Sequence, residues 1–240
     1  ESITLSGQLS IRWIEKRVNE YINKILGNED EKEYVIASDT DSIYVVFGDL
    51  VHKVFGEKIS RPESEGGVST DTIVSFLDRV AQDKLEPFID KAYQDLASYM
   101  NSYDQKMVMA REVIASKGLW TAKKRYILNV HDNEGVRYKT PELKIMGIEA
   151  VRSSTPAACR DKLRESFKVI MKGDNKELIR YIESFRKEFK QLAIDEISFP
   201  RSVNGLKKYD DSKDLFTKGT PIHVKGVMHY NQLVKKHKLD

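Results

Sequence analysis

Two carboxylates lie one residue apart inside a hydrophobic stretch, residues 34–47, YVIASDTDSIYVVF. Asp39 and Asp41 flank Thr40, and apolar residues lead into and out of this segment. In a tight turn both side chains can converge on one point, where they repel each other unless a cation neutralises them. Mg²⁺ commonly takes one or two carboxylates together with substrate phosphates. The pattern is compatible with a metal–phosphate site, but its spacing alone favours an ordinary polar hairpin turn, because Asp and Ser are common in turns.

A second candidate is the basic cluster within residues 120–130, WTAKKRYILNV. Lys123, Lys124 and Arg125 interrupt an apolar, strand-like run, and Tyr126 follows them. Three consecutive cations on a strand point to alternating faces, so at least one should lie on the functional side of the sheet. Such clusters bind phosphate backbones, while the tyrosine offers a flat apolar surface and a hydroxyl. The alternative interpretation is an edge strand that its lysines protect against aggregation.

A third candidate is the junction in residues 141–156, PELKIMGIEAVRSSTP. Lys144 and Arg152 flank a predicted strand that leads into a helix start at Thr155. Gly147 permits close approach of another backbone, and hydroxyls beside a helix N-terminus can hold a phosphate. Taken alone, the same pattern describes an ordinary strand–helix junction.

Helical and strand patterns alternate in the first half of the chain. Apolar residues recur at helical spacing over residues 11–25, and Gly27-Asn28 is a stop signal. Strand composition on both sides of the aspartate pair predicts a hairpin. The remaining predicted elements are a loop region with one short helix over 48–70, a long helix from Asp71, strands over 107–114, 118–130 and 136–138, and a turn over 131–135.

The second half is predicted to be mostly helical. Thr155 is a good N-cap and Pro156 a good first residue for a helix running to about Met171. Gly173 should end that helix, and Asp174 can cap a second one. A basic, irregular tail is expected after it. The domain boundary is predicted near residues 150–154.

Charge is distributed unevenly between the two halves. Residues 1–100 carry 11 basic and 19 acidic side chains, whereas residues 101–240 carry 29 basic and 18 acidic ones. A basic half suggests contact with a polyanion, and acidic side chains in the other half suggest a local role for carboxylates. Two differently solvated surfaces would explain the same counts.

Several classes of site are excluded by composition. Cys159 is the single cysteine, which rules out an intrachain disulfide and a multi-cysteine zinc site. The five histidines show no metal-ligand spacing, and the sequence contains neither a phosphate-binding glycine loop nor a serine-nucleophile signature. No apolar run approaches the roughly 18 residues that a membrane span needs. We expect a reducing, intracellular setting without secretion.

The three candidate stretches occur in the order found in family B DNA polymerases. SDTDSIY resembles the third palm motif of that family, KKRY resembles the palm motif that holds the primer–template duplex, and IMGIEAVRSSTP resembles the palm-to-thumb junction. The sequence is most similar to the replicative polymerases of T-even-type phages, and this similarity is carried by the segments ITLSGQLSIRWIEKRVNEYINKI, LKIMGIEAVRSSTP and PIHVKGVMHYN. The resemblance extends over nearly all 240 residues.

This resemblance implies an α+β fold in two parts. Residues 1–150 would form the C-terminal part of a polymerase palm, an antiparallel sheet packed on long helices. Residues 151–240 would form the start of a mostly helical, DNA-binding thumb. The activity implied is template-directed transfer of a nucleotide from a dNTP to a primer 3′-hydroxyl, in the cytoplasm of an infected bacterial host.

The resemblance also assigns roles to single residues. Asp41 would be the essential ligand of two Mg²⁺ ions, for which Mn²⁺ can substitute, and Asp39 would be its less directly engaged neighbour. Glu112 resembles a further palm carboxylate close to the metals. The duplex near the primer end would be bound by a basic set with one tyrosine: Lys123, Lys124, Arg125, Tyr126, Lys144 and Arg152.

The chain departs from the family pattern in two places. Ala37-Ser38 replaces the usual Tyr-Gly before the first aspartate, and the loop expected around Ser116 to Gly118 is shorter than in phage relatives. The first palm motif, with another metal-binding aspartate, and the fingers lysine that holds the nucleotide are expected upstream of this sequence. We therefore expect negligible activity for this chain alone. It should pair with an upstream polymerase half or self-associate through an uncovered sheet edge.

Two other functions remain open from the sequence. The chain could be a non-catalytic module that binds duplex DNA and carries a vestigial metal site. It could also be another metal-dependent phosphoryl or glycosyl transferase that uses an Asp-x-Asp turn, although that reading leaves KKRY and the thumb-like tail unexplained.

Overall fold

The computed structural model describes residues 2–209 and 219–238. Contacts divide the chain into two compact units, residues 1–147 and residues 148–240. The division falls a few residues before the expected boundary. Within the described ranges, no helix combines the length and the apolar character needed to cross a membrane.

The first unit is α+β, as predicted. Its helices pack around one long N-terminal helix, and its strands form two separate antiparallel sheets, β1–β2 and β3–β4–β5. Its elements are α1 (Ser2–Leu26), β1 (Val35–Asp39), β2 (Ser42–Val45), α2 (Gly48–Phe55), α3 (Thr70–Val80), α4 (Glu86–Tyr99), β3 (Val113–Ala122), β4 (Arg125–Asn133) and β5 (Val136–Met146). A π-helical turn, Ala81–Leu85, joins α3 to α4.

The core of this unit lies where α1 meets α4 and the base of the β1–β2 hairpin. Ile14, Val18 and Ile22 recur at i, i+4 on α1 and are almost fully buried, as the helical spacing predicts. They pack with residues of α4 and of the strand β1. Asn19 adds a polar tie, because its Oδ1 accepts hydrogen bonds from the backbone N–H groups of Tyr34 (2.7 Å) and Val35 (2.9 Å). The hairpin that carries the aspartates is therefore fixed to a rigid helix.

Two of the predicted strand and loop limits are wrong. Residues 118–130 do not form one strand, because the chain reverses at Lys123-Lys124 and Ala122 pairs with Arg125. The segment from residue 116 to 118, expected in a loop, lies inside β3, which starts only at Val113. The region 48–70 contains the one short helix predicted there, α2, followed by two 3-10 turns.

The second unit is mostly helical, as predicted. Its helices are α5 (Ala157–Lys172), α6 (Asn175–Phe189), α7 (Ile194–Ile197) and α8 (Ile222–His237). Gly173 ends α5 in the left-handed conformation, and the Asp174 side chain accepts hydrogen bonds from the first N–H groups of α6, so both predictions are confirmed.

Two predictions about the helix ends of this unit are wrong. Thr155 does not cap α5, because Pro156 occupies the N-cap position and the threonine side chain is buried. The tail is not irregular throughout, since α8 buries Val224 and Met228, four residues apart, on one face. The part of the tail from 210 to 218 lies outside the described residues.

A buried ion network holds the helices of the first unit to its three-stranded sheet. Asp132 on β4 is 2% exposed and accepts hydrogen bonds from Arg111, from Arg137 (3.1 Å) and from the backbone of Gly135 (3.0 Å). Arg111 also pairs with Asp78 of α3 at 2.5 Å. One carboxylate thus organises two arginines that come from different parts of the chain.

The network predicts a specific loss of stability in acid. Burial alone would raise the pKa of Asp132, but hydrogen bonds from Arg137 and Arg111 hold it below the ordinary value of 3.8. A carboxylate with a lowered pKa stabilises the fold fully above its unfolded pKa, and this contribution is lost as the pH falls through the folded pKa. We expect the stability difference between wild type and Asp132→Asn to shrink from about pH 6 to about pH 3 in urea unfolding. A difference that stays constant over that range would contradict the assignment.

Candidate functional site

The two aspartates of the sequence motif lie at the tip of the β1–β2 hairpin. Asp39 pairs with Ser42, and Thr40-Asp41 form the turn, with Thr40 at a φ of 56°. The Asp41 N–H donates to the Asp39 carbonyl at 2.6 Å, and the Ser42 hydroxyl donates to the same oxygen at 3.1 Å. The Thr40 hydroxyl donates to the Asp39 carboxylate at 3.0 Å. These local bonds fix the turn, so the position of both carboxylates follows from the hairpin.

The basic cluster lies at the tip of a second hairpin. Lys123 and Lys124 are the two turn residues between β3 and β4, and Lys124 has a φ of 61°. Gly147 lies directly beside this turn, because a Cβ added there would overlap the Lys124 carbonyl oxygen. The close backbone approach that the sequence predicted for this glycine is therefore to the lysine turn.

The two hairpin tips meet although they are far apart in sequence. The Lys124 Nζ lies 3.1 Å from Asp39 Oδ1 and donates to the Thr40 hydroxyl at 3.4 Å. The hydrogen bond from Lys124 is the main reason why the pKa of Asp39 lies below its ordinary value of 3.8. Asp39 is 29% exposed and Lys124 is 72% exposed, so the pair is open to solvent and to a ligand.

The charge of Asp41 acts on a residue of α4. Burial raises the pKa of Tyr93 on α4, and the negative charge of Asp41 raises it further. Sequence reasoning missed this tyrosine, since nothing in the α4 pattern distinguishes it from other core residues. The carboxylate of Asp41 is itself exposed at the turn.

The donor set at this tip fits part of a magnesium site. Among residues 2–209 and 219–238, no group of three or more Asp, Glu, His or Cys side chains is placed to hold a metal ion. Asp39 and Asp41 supply the one or two carboxylates that Mg²⁺ accepts when waters and substrate phosphates complete its shell. A metal bound only by these two side chains would need further ligands.

Glu112 and Lys144 pair with each other in the structure. The Lys144 Nζ lies 3.1 Å from Glu112 Oε1, and the Glu112 carbonyl accepts a hydrogen bond from the Glu134 N–H at 2.6 Å. Lys144 also lies near Tyr44. Burial raises the pKa of Tyr44 strongly, and the positive charge of Lys144 acts in the opposite direction. Glu112 therefore does not complete a three-carboxylate group with Asp39 and Asp41 within the described chain.

The buried ring of Tyr126 supports the lysine turn. Its side chain is buried, and its ring contacts those of Tyr44 and Trp120 at centroid distances of 5.3 Å and 6.0 Å. Because Tyr44 follows the aspartate turn on β2, this aromatic cluster packs one hairpin against the other. No local pattern indicates that Tyr44 and Trp120 take part, because both lie in segments with the composition of ordinary strands.

The two arginines of the basic set lie in different places. Arg125 follows the turn, and its side chain is half-buried beside Gly147. Arg152 belongs to the second unit, where it follows a 3-10 turn, Glu149–Val151, and is exposed.

Comparison with known proteins gives two close relatives and no matching family model. The DNA-directed DNA polymerase of Enterobacteria phage T4 is 38% identical over 241 residues, which cover 97% of the chain and 26% of that protein. The DNA-directed DNA polymerase of Escherichia phage RB69 is 41% identical over 242 residues, which cover 98% of the chain and 26% of that protein. The chain thus spans about a quarter of the length of these relatives. The resemblance inferred from the motifs is confirmed: along nearly its whole length, the chain is similar to one segment of T-even-type phage DNA-directed DNA polymerases.

Proposed function

We propose that the chain works as a segment of a family B DNA-directed DNA polymerase, with palm residues in 1–150 and the start of the thumb in 151–240. The observation that carries the proposal is the 3.1 Å contact between Lys124 and Asp39, which joins the carboxylate turn to the basic turn. A polymerase needs carboxylates for metal ions and cations for the duplex at the same place. The names of both relatives support the same activity.

In this proposal Asp41 is the main metal ligand and Asp39 its neighbour, with a carboxylate from outside the chain completing the site. Two Mg²⁺ ions in the complete enzyme, or Mn²⁺ in their place, would lower the pKa of the primer 3′-hydroxyl and stabilise charge on the transferring phosphoryl group. The hairpin fixes the backbone of both aspartates before substrate binds, which lowers the ordering cost at the reaction. Glu112 would approach the site only after leaving Lys144.

The duplex would be bound mainly through phosphate contacts. Lys123 and Lys124 are exposed at their turn, and the excess of basic residues after residue 100 favours a polyanion. Tyr126 would act by supporting the turn, because its ring is buried. Arg125, Lys144 and Arg152 would add cations around the primer end.

The proposed partners are primer–template DNA, dNTP and the upstream part of a polymerase. Within residues 2–209 and 219–238, the β1–β2 sheet has two strands, and Ile36 on β1 is 52% exposed. A further strand from an upstream half, or from a second copy of the chain, would cover this edge. The place of action would be the cytoplasm of an infected bacterial host.

Removing the Asp41 carboxylate tests the metal role. We expect Asp41→Asn to weaken Mn²⁺ binding by at least about tenfold in the presence of a primer–template hairpin and dNTP, because a direct ligand is lost. Electron paramagnetic resonance of free Mn²⁺ measures this affinity. The matched control is Glu65→Gln, which removes an exposed carboxylate from a 3-10 turn of the same unit and should leave the affinity unchanged.

Two results would contradict the proposal. If the wild-type chain binds the primer–template hairpin but no Mn²⁺, it is a duplex-binding module with a vestigial metal site. If it binds Mn²⁺ but no primer–template, an Asp-x-Asp transferase becomes the better reading. We also expect negligible primer extension by the purified chain, and robust extension that Asp41→Ala abolishes would show that its metal site is complete.

A further inference from the structure

The ammonium group of Lys124 can interact with two different anions. In the structure its Nζ lies 3.1 Å from the Asp39 carboxylate and within 3.4 Å of the Thr40 hydroxyl. The same side chain is 72% exposed at the tip of a turn. It can therefore reach either the carboxylate or an anion arriving from solvent, but it cannot fully neutralise both.

We propose that Lys124 couples DNA binding to divalent-cation binding at the hairpin tips. While its ammonium rests on Asp39, it repels a second cation and occupies an oxygen that the cation would use. A DNA phosphate that attracts Lys124 frees the carboxylate for the metal. This inference rests on the proposed function, and it assigns to Lys124 a positioning role separate from its contribution to DNA affinity.

The backbone of Lys124 is held in place while its side chain can move. Lys124 has the left-handed backbone, and Gly147 packs against its carbonyl, so the base of its side chain is fixed while four methylenes remain free to move. Asp39 is likewise fixed by its hairpin. The switch thus needs one side chain to swing, without any movement of the sheets.

Thermodynamic linkage sets the size and symmetry of the effect. If DNA raises the affinity for the cation by some factor, the cation raises the affinity for DNA by the same factor. An exposed ion pair of this kind corresponds to a factor of about two to five in a dissociation constant. Such coupling raises the fraction of chains that bind DNA and the cation at the same time.

The experiment is a Mn²⁺ titration of the whole chain, followed by paramagnetic resonance, with and without a short hairpin duplex. Three proteins are compared: wild type, Lys124→Met and Lys123→Met, which loses the same charge from the same turn. Without DNA, we expect Lys124→Met to bind Mn²⁺ about two- to fivefold more tightly than Lys123→Met. With DNA, after subtraction of Mn²⁺ bound by DNA alone, wild type and Lys123→Met should tighten by a similar factor, and Lys124→Met should not.

Two outcomes separate this inference from the function on which it rests. Equal Mn²⁺ affinities for the two variants, with and without DNA, would overturn the coupling and leave the polymerase proposal standing, since both ligands still bind. No Mn²⁺ binding by any of the three proteins, even with DNA, would overturn both.

Discussion

Replacing Asp132 by alanine is expected to lower the free energy of unfolding of the first unit by about 3 to 5 kcal/mol. The carboxylate is 2% exposed and is shared by Arg111 and Arg137. Its removal leaves two guanidinium groups without their common partner, and that of Arg111 is itself nearly buried. Because the network joins α3 to β4 and β5, the packing of α3 against the three-stranded sheet would loosen as well. Urea unfolding followed by circular dichroism measures the change.

Asp71→Ala is the matched control for this effect. Asp71 pairs with Arg137 at 2.5 Å, but it is 73% exposed, so its loss should cost less than about 1 kcal/mol. Both variants remove an aspartate that bonds the same arginine and differ mainly in burial. Similar losses in the two variants would mean that the buried network does not hold the sheet to the helices.

Local patterns in the sequence predicted most of the elements. The helical spacing of Ile14, Val18 and Ile22 predicted α1, and Gly173 and Asp174 marked the junction of α5 and α6 because each satisfies a helix end directly. These signals succeed because their cause lies within a few residues of the chain. The α+β class follows from them.

The lysine turn shows where local patterns fail. Residues 118–130 have the composition of one long strand, and nothing nearby demands a reversal at Lys123-Lys124. The reversal depends on contacts from elsewhere in the chain, namely Gly147 against the Lys124 carbonyl and Asp39 against its ammonium. The motifs indicated that both clusters matter, but only the fold shows that their tips touch. Tyr93 and the Asp132 network were missed for the same reason, since their partners are distant in sequence.

Gly147→Ala is expected to disturb the candidate site although it replaces none of the charged residues there. Gly147 has a φ of 66°, and a Cβ there would overlap the Lys124 carbonyl oxygen. Left-handed strain costs about 1 to 2 kcal/mol and an overpacked contact about 1 to 3, so we expect a loss of about 2 to 5 kcal/mol. Gly135→Ala is the control, because its φ is 86° and a Cβ there meets open space. It should cost only the strain, about 1 to 2 kcal/mol.

The same variant gives a readout at the site itself. A shifted lysine turn would carry Lys124 away from Asp39, and the pKa of Asp39 would rise from its lowered value towards 3.8, because the hydrogen bond from Lys124 is its main cause. Carbon-13 NMR of the aspartate carboxyl groups during a pH titration measures this rise, and Gly135→Ala should leave the pKa of Asp39 unchanged. An unchanged pKa in Gly147→Ala, together with the expected loss of stability, would mean that the side chain of Lys124 follows Asp39 wherever its backbone moves. The contact between the two turns would then depend on the ion pair and not on the glycine that packs beneath it.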